Sequence, residues 1–138
     1  VSLNFNHPVK ELVWTRPWAS GAFAVFTAGD TWQLKLNGHD RFASRDISYF
    51  TLGQVWQHHT GTPVFSGGTA GVGQAGHVIG VYSFALKPEE HQPSGTCNFS
   101  RIDNAQFCSS GTDTFTIYAV NYNVLRIMSG MGGLAYSN

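Results

Sequence analysis

The chain has 138 residues, enough for one domain with its own hydrophobic core. Eight acidic and eight basic residues give no net charge, and charged residues make up 12% of the chain, against roughly 25% in an average soluble domain. The basic residues form no cluster, which disfavours nucleic-acid binding, and no apolar run is long enough for a membrane-spanning helix. We therefore expect a single domain, residues 1–138, whose weakly charged surface favours self-association.

Apolar and polar residues alternate with a period of two along most of the chain, and no window predicts a capped amphipathic helix of ten or more residues. The clearest strand begins at Trp32, with Leu34 and Leu36 on the same face, and ends at the turn pair Asn37-Gly38. In chain order, the predicted strands are residues 9–14, 32–37, 49–57, 78–86, 96–102, 115–128 and 134–136. This pattern predicts an all-β sandwich of about eight short strands.

The predicted strand at residues 78–86 is apolar on both faces. Ile79 and Val81 project one way, whereas Val78, Tyr82 and Phe84 project the other way. One face can fill the core of a sandwich. We expect the second face to pack on a loop, a neighbouring domain or another subunit.

Two long segments, residues 16–31 and 60–76, lack a strand pattern and are predicted to be loops that make contacts in an assembly. The second contains Gly71, Gly73 and Gly76 in the spacing GxGxxG. A dinucleotide site needs a helix directly after this motif, and here a predicted strand follows. We interpret the motif as the tip of a glycine-rich loop.

Few residues suggest a metal site. His58 and His59 are adjacent, so on a strand they would point to opposite faces and could not bind one metal together, as a cupin-type metalloenzyme would require. His39 follows the Asn-Gly turn and is interpreted as part of a hydrogen-bonded corner. Cys97 and Cys108 could form a disulfide if they lie on paired strands, or remain as free thiols. We predict no metal and no cofactor.

Residues 84–104 contain a polar loop bracketed by Pro88 and Pro93, which we predict to be a stiff connection between two strands. Glu89 and Glu90 could suggest an acid and base pair, but nothing in the sequence gives them different environments. Ser94 lacks a nucleophile motif around it. We therefore predict no enzymatic activity and no catalytic residues.

Two features suggest contact with sugars. Asn98 begins the sequon Asn-Phe-Ser, although we expect this site to be unmodified. Exposed tryptophans can stack on sugar rings, so a carbohydrate-binding jelly-roll module is the alternative function. Its candidate residues are Trp14, Trp18, Trp32 and Trp56. We interpret Trp32 as a core residue, because it lies on the apolar face of its strand.

Four blocks of sequence support a resemblance to a known family: NGHDRF at residues 37–42, YFTLGQVWQHHTG at 49–61, YSFALKPEEHQPSGTCNFSRIDNA at 82–105, and residues 118–138. With HPVKEL at residues 7–12, they cover well over half of the chain. In these blocks the chain resembles the major capsid proteins of nucleocytoplasmic large DNA viruses, of the iridovirus and phycodnavirus type. The match is to the C-terminal jelly roll of the double jelly-roll subunit.

The resemblance implies an eight-stranded jelly roll in a virion structural protein. Three subunits of this family form a pseudo-hexagonal capsomer of an icosahedral shell, made as a late protein and assembled in the host cytoplasm. The implied partners are other copies in the trimer and in neighbouring capsomers, the N-terminal jelly roll of the same subunit, and minor capsid proteins. Because a family member has two jelly rolls and the chain begins at Val1, we expect it to be part of a longer polypeptide. Alone, it should be poorly soluble.

Overall fold

The computed structural model describes residues 1–17, 24–61, 65–67 and 75–136. Twelve strands lie within these residues: β1 (Pro8–Thr15), β2 (Thr31–Leu36), β3 (His39–Asp40), β4 (Arg45–Asp46), β5 (Phe65–Gly67), β6 (Ala75–His77), β7 (Ile79–Ser83), β8 (Cys97–Asn98), β9 (Ala105–Ser109), β10 (Thr116–Asn121), β11 (Leu125–Met128) and β12 (Met131–Leu134). A helical segment, here called α1, consists of a π-helical part, Tyr49–Gly53, and an α-helical part, Gln54–His58.

Two antiparallel four-stranded sheets form the body of the fold. In the first sheet, β1 lies at the centre, with β10 along one edge and β7 and β8 along the other. In the second sheet, β2 lies at the centre, with β9 on one side and β3 and β4 on the other. The predicted β-sandwich is therefore confirmed.

Large aromatic side chains fill the space between the two sheets. Trp14 of β1 lies 4.8 Å from Phe107 of β9 and 5.9 Å from Trp32 of β2, measured between ring centroids. All three side chains are fully buried. Their burial removes several hundred Å² of apolar surface from water, which is the main stabilising contribution in a sandwich of this size.

The predicted turn at Asn37-Gly38 is confirmed. The φ angles are 50° at Asn37 and 79° at Gly38, as a type I′ turn requires, and the turn connects β2 to β3. The side-chain oxygen of Asn37 also accepts hydrogen bonds from the backbone N–H groups of Asp103 and Asn104, both at 3.1 Å. This turn therefore also holds the chain that leads into β9.

The prediction of a strand at residues 49–57 is wrong, because these residues form the helical segment α1. Phe50, Thr51 and Gln54 are buried, and their spacing of three and four residues places them on one face of α1, while the buried Ile47 lies just before its start. The N–H of Ser48 donates to the Asp46 carboxylate at 2.8 Å, next to the helix start. The helical spacing is present in the sequence, but the apolar run at these residues also suits a strand.

Other predicted boundaries differ from those of the structure. The strand predicted at residues 96–102 is only two residues long, because a 3₁₀ turn, Phe99–Arg101, follows β8. Residues 115–128 form two strands, β10 and β11, which lie in different sheets. The loop predicted at residues 60–76 includes the paired strands β5 and β6. Part of each predicted contact loop lies outside the described residues, namely 18–23, 62–64 and 68–74.

Candidate assembly surface

The strands β11 and β12 form a hairpin that stands apart from both large sheets. The turn between them is Ser129-Gly130, with φ angles of 51° and 78°, again as a type I′ turn requires. Within the described part of the chain, β11 and β12 pair only with each other. A two-stranded sheet alone is only marginally stable in water, so this hairpin gains stability when another surface covers it.

Both faces of the hairpin carry exposed apolar side chains. Leu125, Ile127 and Leu134 share one face, because Leu125 is the cross-strand partner of Leu134. Met128 and Met131 are partners on the other face. The exposed fraction of these five side chains is between 56% and 75%. We call these residues the hairpin surface; so much apolar area in one place is typical of a protein interface.

The base of the hairpin is held in place by hydrogen bonds. The N–H of Ala135 donates to the carbonyl of Val124 at 2.8 Å, and the side-chain amide of Asn123 donates to the carbonyl of Tyr136 at 2.9 Å. The hairpin surface therefore projects from a defined base rather than from a loose tail.

A second apolar area lies on the outer face of the first sheet. Tyr118 and Val120 of β10 are 56% and 37% exposed, and the cross-strand partner of Tyr118 is Val13 of β1. Among the described residues, β10 pairs with β1 alone, so its other edge is open. An open edge with apolar side chains is a second candidate contact surface.

The strand predicted to be apolar on both faces, β7, is buried on both faces. Val81 and Tyr82 of β7 point to opposite faces, yet both are buried. The segment α1 lies beside β7, and the side-chain oxygen of Gln54 accepts a hydrogen bond from the N–H of Ser83 at 3.1 Å. The second face of β7 is therefore covered within the chain, whereas Ile79 at its start is partly exposed.

A polar cluster lies where α1 ends. His59 Nε2 is 2.8 Å from an oxygen of Glu11 on β1, and His59 Nδ1 is 3.1 Å from an oxygen of Glu89. The N–H and the hydroxyl of Thr60 donate to the two oxygens of Glu89 at 2.9 and 2.8 Å. We call Glu11, His59, Thr60 and Glu89 the histidine cluster.

The histidine cluster gives Glu89 and Glu90 different environments, contrary to the sequence-based expectation. The hydrogen bonds from the backbone and the side chain of Thr60, and the contact with His59, lower the pKa of Glu89. Glu90 instead pairs with Lys87 at 3.3 Å and is exposed. As predicted, this loop connects two strands: residues Leu86 to Ser94 join β7 to β8, and both strands pair with β1.

The sequence matches the family described as large eukaryotic DNA virus major capsid protein over residues 1–133. The chain belongs to this family. It is 51% identical to the major capsid protein of Pyramimonas orientalis virus, with all of the chain aligned to 39% of that protein. It is 39% identical to the major capsid protein of Paramecium bursaria Chlorella virus 1, where the whole chain covers 43% of that protein.

The fold is also similar to a solved structure titled PBCV-1 virus capsid, quasi-atomic model, with a TM-score of 0.78 and 34% sequence identity. All of this chain is covered, and 45% of that chain. The sandwich is thus the jelly-roll fold of the major capsid proteins. The chain spans about two fifths of the length of these relatives.

Membership of the capsid family does not support the carbohydrate-binding alternative, and the placement of the tryptophans also weighs against it. Trp14 and Trp32 are fully buried in the core, so they cannot stack on a sugar. Trp56 is 78% exposed on α1, and Trp18 lies outside the described residues. The exposed Asn98 uses its side chain to accept a hydrogen bond from the N–H of Ser100.

The two cysteines of this capsid-family chain are free thiols. Cys97 lies on β8 and Cys108 on β9, in different sheets, so the arrangement on paired strands that a disulfide would need is absent. Burial raises the pKa of the Cys97 thiol, which makes it a poor nucleophile.

The described residues contain no group of three or more histidine, cysteine, aspartate or glutamate side chains placed to hold a metal ion. His58 contacts the carbonyl of Leu86 through Nδ1, whereas His59 belongs to the histidine cluster, so the pair points to different partners. His39 is exposed on β3.

Of the GxGxxG motif, Ala75 and Gly76 lie in β6, and the rest is outside the described residues. None of the helices in the described part is long and apolar enough to cross a membrane.

Proposed function

We propose that this chain is a shell-building domain of a major capsid protein, and that it corresponds to the C-terminal of two jelly rolls in the subunit. The observation that carries the proposal is the structural match over the whole chain to a virus capsid, with 34% identity. Membership of the major capsid family over residues 1–133 supports the same role. The role is structural, and the proposal includes no catalytic step.

The physical basis for assembly is the exposed apolar area. A stable protein interface buries roughly 800 Å² on each partner, and apolar area contributes about 25 cal/mol per Å² before the entropy of association is subtracted. The hairpin surface and the outer face of β10 provide apolar side chains that other parts of the subunit or other copies can cover. Little net charge opposes such contacts.

In the finer form of the proposal, three subunits form a pseudo-hexagonal capsomer that tiles an icosahedral shell. The other jelly roll of the same subunit, neighbouring capsomers and minor capsid proteins are the proposed partners. The proposed location is the virion, after late expression and assembly in the host cytoplasm.

Electron microscopy of the purified capsid protein that contains this chain tests the proposal. Trimers and hexagonal arrays are the expected result, and particles that remain monomeric at every concentration would contradict it. The variant Ile127→Glu places a charge on the hairpin surface, where the native side chain is 68% exposed. We expect it to reduce assembly while the fold persists, whereas Gln57→Glu, at an exposed polar position on α1, should assemble normally.

A further inference from the structure

The histidine cluster contains more hydrogen bonds than a neutral histidine can make. One ring nitrogen of His59 faces Glu11 at 2.8 Å and the other faces Glu89 at 3.1 Å. A neutral imidazole has one N–H, so it can donate to only one of two carboxylates. The second nitrogen would then direct its lone pair at the oxygen of the other carboxylate. Both hydrogen bonds form only when the three groups share one additional proton.

This requirement holds wherever the additional proton resides. It can lie on His59, making an imidazolium between two carboxylates, or on the oxygen of Glu11 that faces Nε2. Loss of the proton breaks one of the two hydrogen bonds in either case.

The buried side chain of Glu11 depends on His59 for its hydrogen bond. Glu11 is only 7% exposed, and among the described residues its carboxylate has His59 as its hydrogen-bond partner. A buried carboxylate without a partner is strongly unfavourable, because it has lost its hydration. Glu89 differs, since Thr60 continues to donate two hydrogen bonds to it whatever the state of His59.

The other titratable groups near the cluster are engaged elsewhere. On the strands, Lys10 lies over the ring of Tyr122 at 5.3 Å, and Tyr82 of β7 packs its ring against Phe84. At the end of α1, the ring of His58 contacts the carbonyl of Leu86.

On the loop itself, Lys87 is paired with Glu90 at 3.3 Å. Within the described residues, the two carboxylates of Glu11 and Glu89 are therefore the charged groups in contact with His59.

The cluster joins three elements that are distant in sequence. Glu11 belongs to β1, His59 follows α1, and Glu89 belongs to the loop that contains Pro88 and Pro93. The loop is closed at its base, where the hydroxyl oxygen of Ser94 accepts a hydrogen bond from the N–H of Lys87 at 2.9 Å. Contacts of Glu89 with Thr60 and His59 thus fix the far side of this loop, and the contact with His59 also connects it to Glu11 of the sheet.

We propose that Glu11, His59 and Glu89 form a proton-operated clamp, which holds the loop of residues 86–94 against the first sheet at low pH and loosens it as pH rises. The direction follows from the count of hydrogen bonds: removal of the additional proton leaves two acceptors facing each other. The neutral ring keeps its N–H on Glu11, so the contact that is lost is the one with Glu89, and the loosened loop exposes its buried Pro88. The proposal depends on this geometry and not on the capsid role.

Hydrogen–deuterium exchange of the capsid protein tests the clamp, with mass spectrometry of the peptide that covers residues 84–98. Protection is measured between about pH 6 and pH 8.5 and corrected for the intrinsic exchange rate at each pH. We expect protection of this peptide in the wild type to fall by about tenfold across the range, as loss of one charge-assisted hydrogen bond implies.

Two variants isolate the additional proton. Glu89→Ala removes the second acceptor, so the single ring N–H of a neutral His59 satisfies the remaining contact with Glu11, and the profile should be flat at a lower level of protection. His59→Gln removes the imidazole and should also give a flat profile. The matched control is Glu90→Gln, on the same loop but outside the cluster, which should behave as the wild type does. A flat wild-type profile, or a pH response that persists in His59→Gln, would overturn the proposal.

Discussion

The indole ring of Trp14 covers Gly80, its direct partner on the neighbouring strand β7. A Cβ atom added to Gly80 would lie 2.6 Å from Cζ2 and Nε1 of Trp14, which is closer than side-chain atoms can approach. The glycine therefore makes room for a fully buried tryptophan that packs between the two sheets. The position of the Trp14 ring therefore accounts for the glycine at position 80.

Gly80→Ala should consequently destabilise the fold by about 2 kcal/mol or more, because Trp14 must shift within a close-packed core. The free energy of unfolding in urea measures this effect. Gly133→Ala is the matched control: an added Cβ at Gly133 meets nothing within 4 Å, so the change should be within about 0.5 kcal/mol. Equal stability of the Gly80→Ala protein and the wild type would contradict the close contact.

Trp32→Ala should lower the free energy of unfolding by about 3 to 5 kcal/mol, since it removes a fully buried ring and leaves a cavity between the sheets. The ring contacts Phe26, Phe107 and Phe115. Trp56→Ala makes the same chemical change at a side chain that is 78% exposed, and should have little effect on folding. Similar losses of stability at both positions would show that burial does not determine the cost of removing the ring.

Asn37→Ala should destabilise the fold by about 1 to 3 kcal/mol for two separable reasons. Alanine tolerates the φ angle of 50° poorly, and it cannot accept the hydrogen bonds from the N–H groups of Asp103 and Asn104. Asn37→Gly removes only the hydrogen bonds and should be the milder change. Thermal unfolding of both variants tests this order, and a less stable glycine variant would refute it.

Acid should weaken the start of α1 through Asp46. Hydrogen bonds from the side chain and backbone of Ser48 lower the pKa of Asp46. A carboxyl whose pKa is lower in the folded state stabilises the fold above its unfolded pKa, about 3.9 for aspartate. That contribution is lost as pH falls through the folded pKa.

Ser48→Ala should therefore move the pKa of Asp46 upward, towards its ordinary value, and reduce the dependence of stability on pH below about 4. Carbon NMR of the Asp46 carboxyl measures the first effect. Ser44→Ala, at an exposed serine nearby, is the control and should leave the titration of Asp46 unchanged. An unchanged titration in Ser48→Ala would exclude the hydroxyl of Ser48 as a cause, since alanine retains the backbone N–H.

Local signals in the sequence predict local structure well in this chain. Asn37-Gly38 predicts a turn because few other residue pairs tolerate two positive φ angles, and the turn is present. The alternation from Trp32 to Leu36 predicts which side chains face the core, since successive side chains of a strand point to opposite faces. Both inferences depend only on neighbouring residues.

The helix α1 shows where this reasoning fails. Phe50, Thr51 and Gln54 lie at helical spacing, but the surrounding aromatic and β-branched residues also suit a strand. What decides between them is the packing of α1 beside β7, where Gln54 accepts a hydrogen bond from Ser83, 29 residues away. A window of neighbouring residues cannot contain that contact.

The histidine cluster shows the same limit for chemistry. Glu89 and Glu90 are adjacent and identical in type, so the sequence offers no reason to distinguish them. Folding places Glu89 beside His59 and Thr60 and leaves Glu90 with Lys87. The environment of Glu89 comes from contacts about 30 residues away in the chain, whereas Glu90 pairs with a residue three positions before it.

The sequence by itself determined the β-sandwich, the turn at Asn37-Gly38 and the capsid family, because periodicity, turn residues and family-specific blocks are all properties of contiguous residues. Only the tertiary structure decided that Trp14 rests on Gly80, that the hairpin of β11 and β12 remains uncovered, and that Glu11 meets His59. Those relationships join residues that are far apart in the chain, and their energies depend on distance and burial, which exist only once the sheets have packed together.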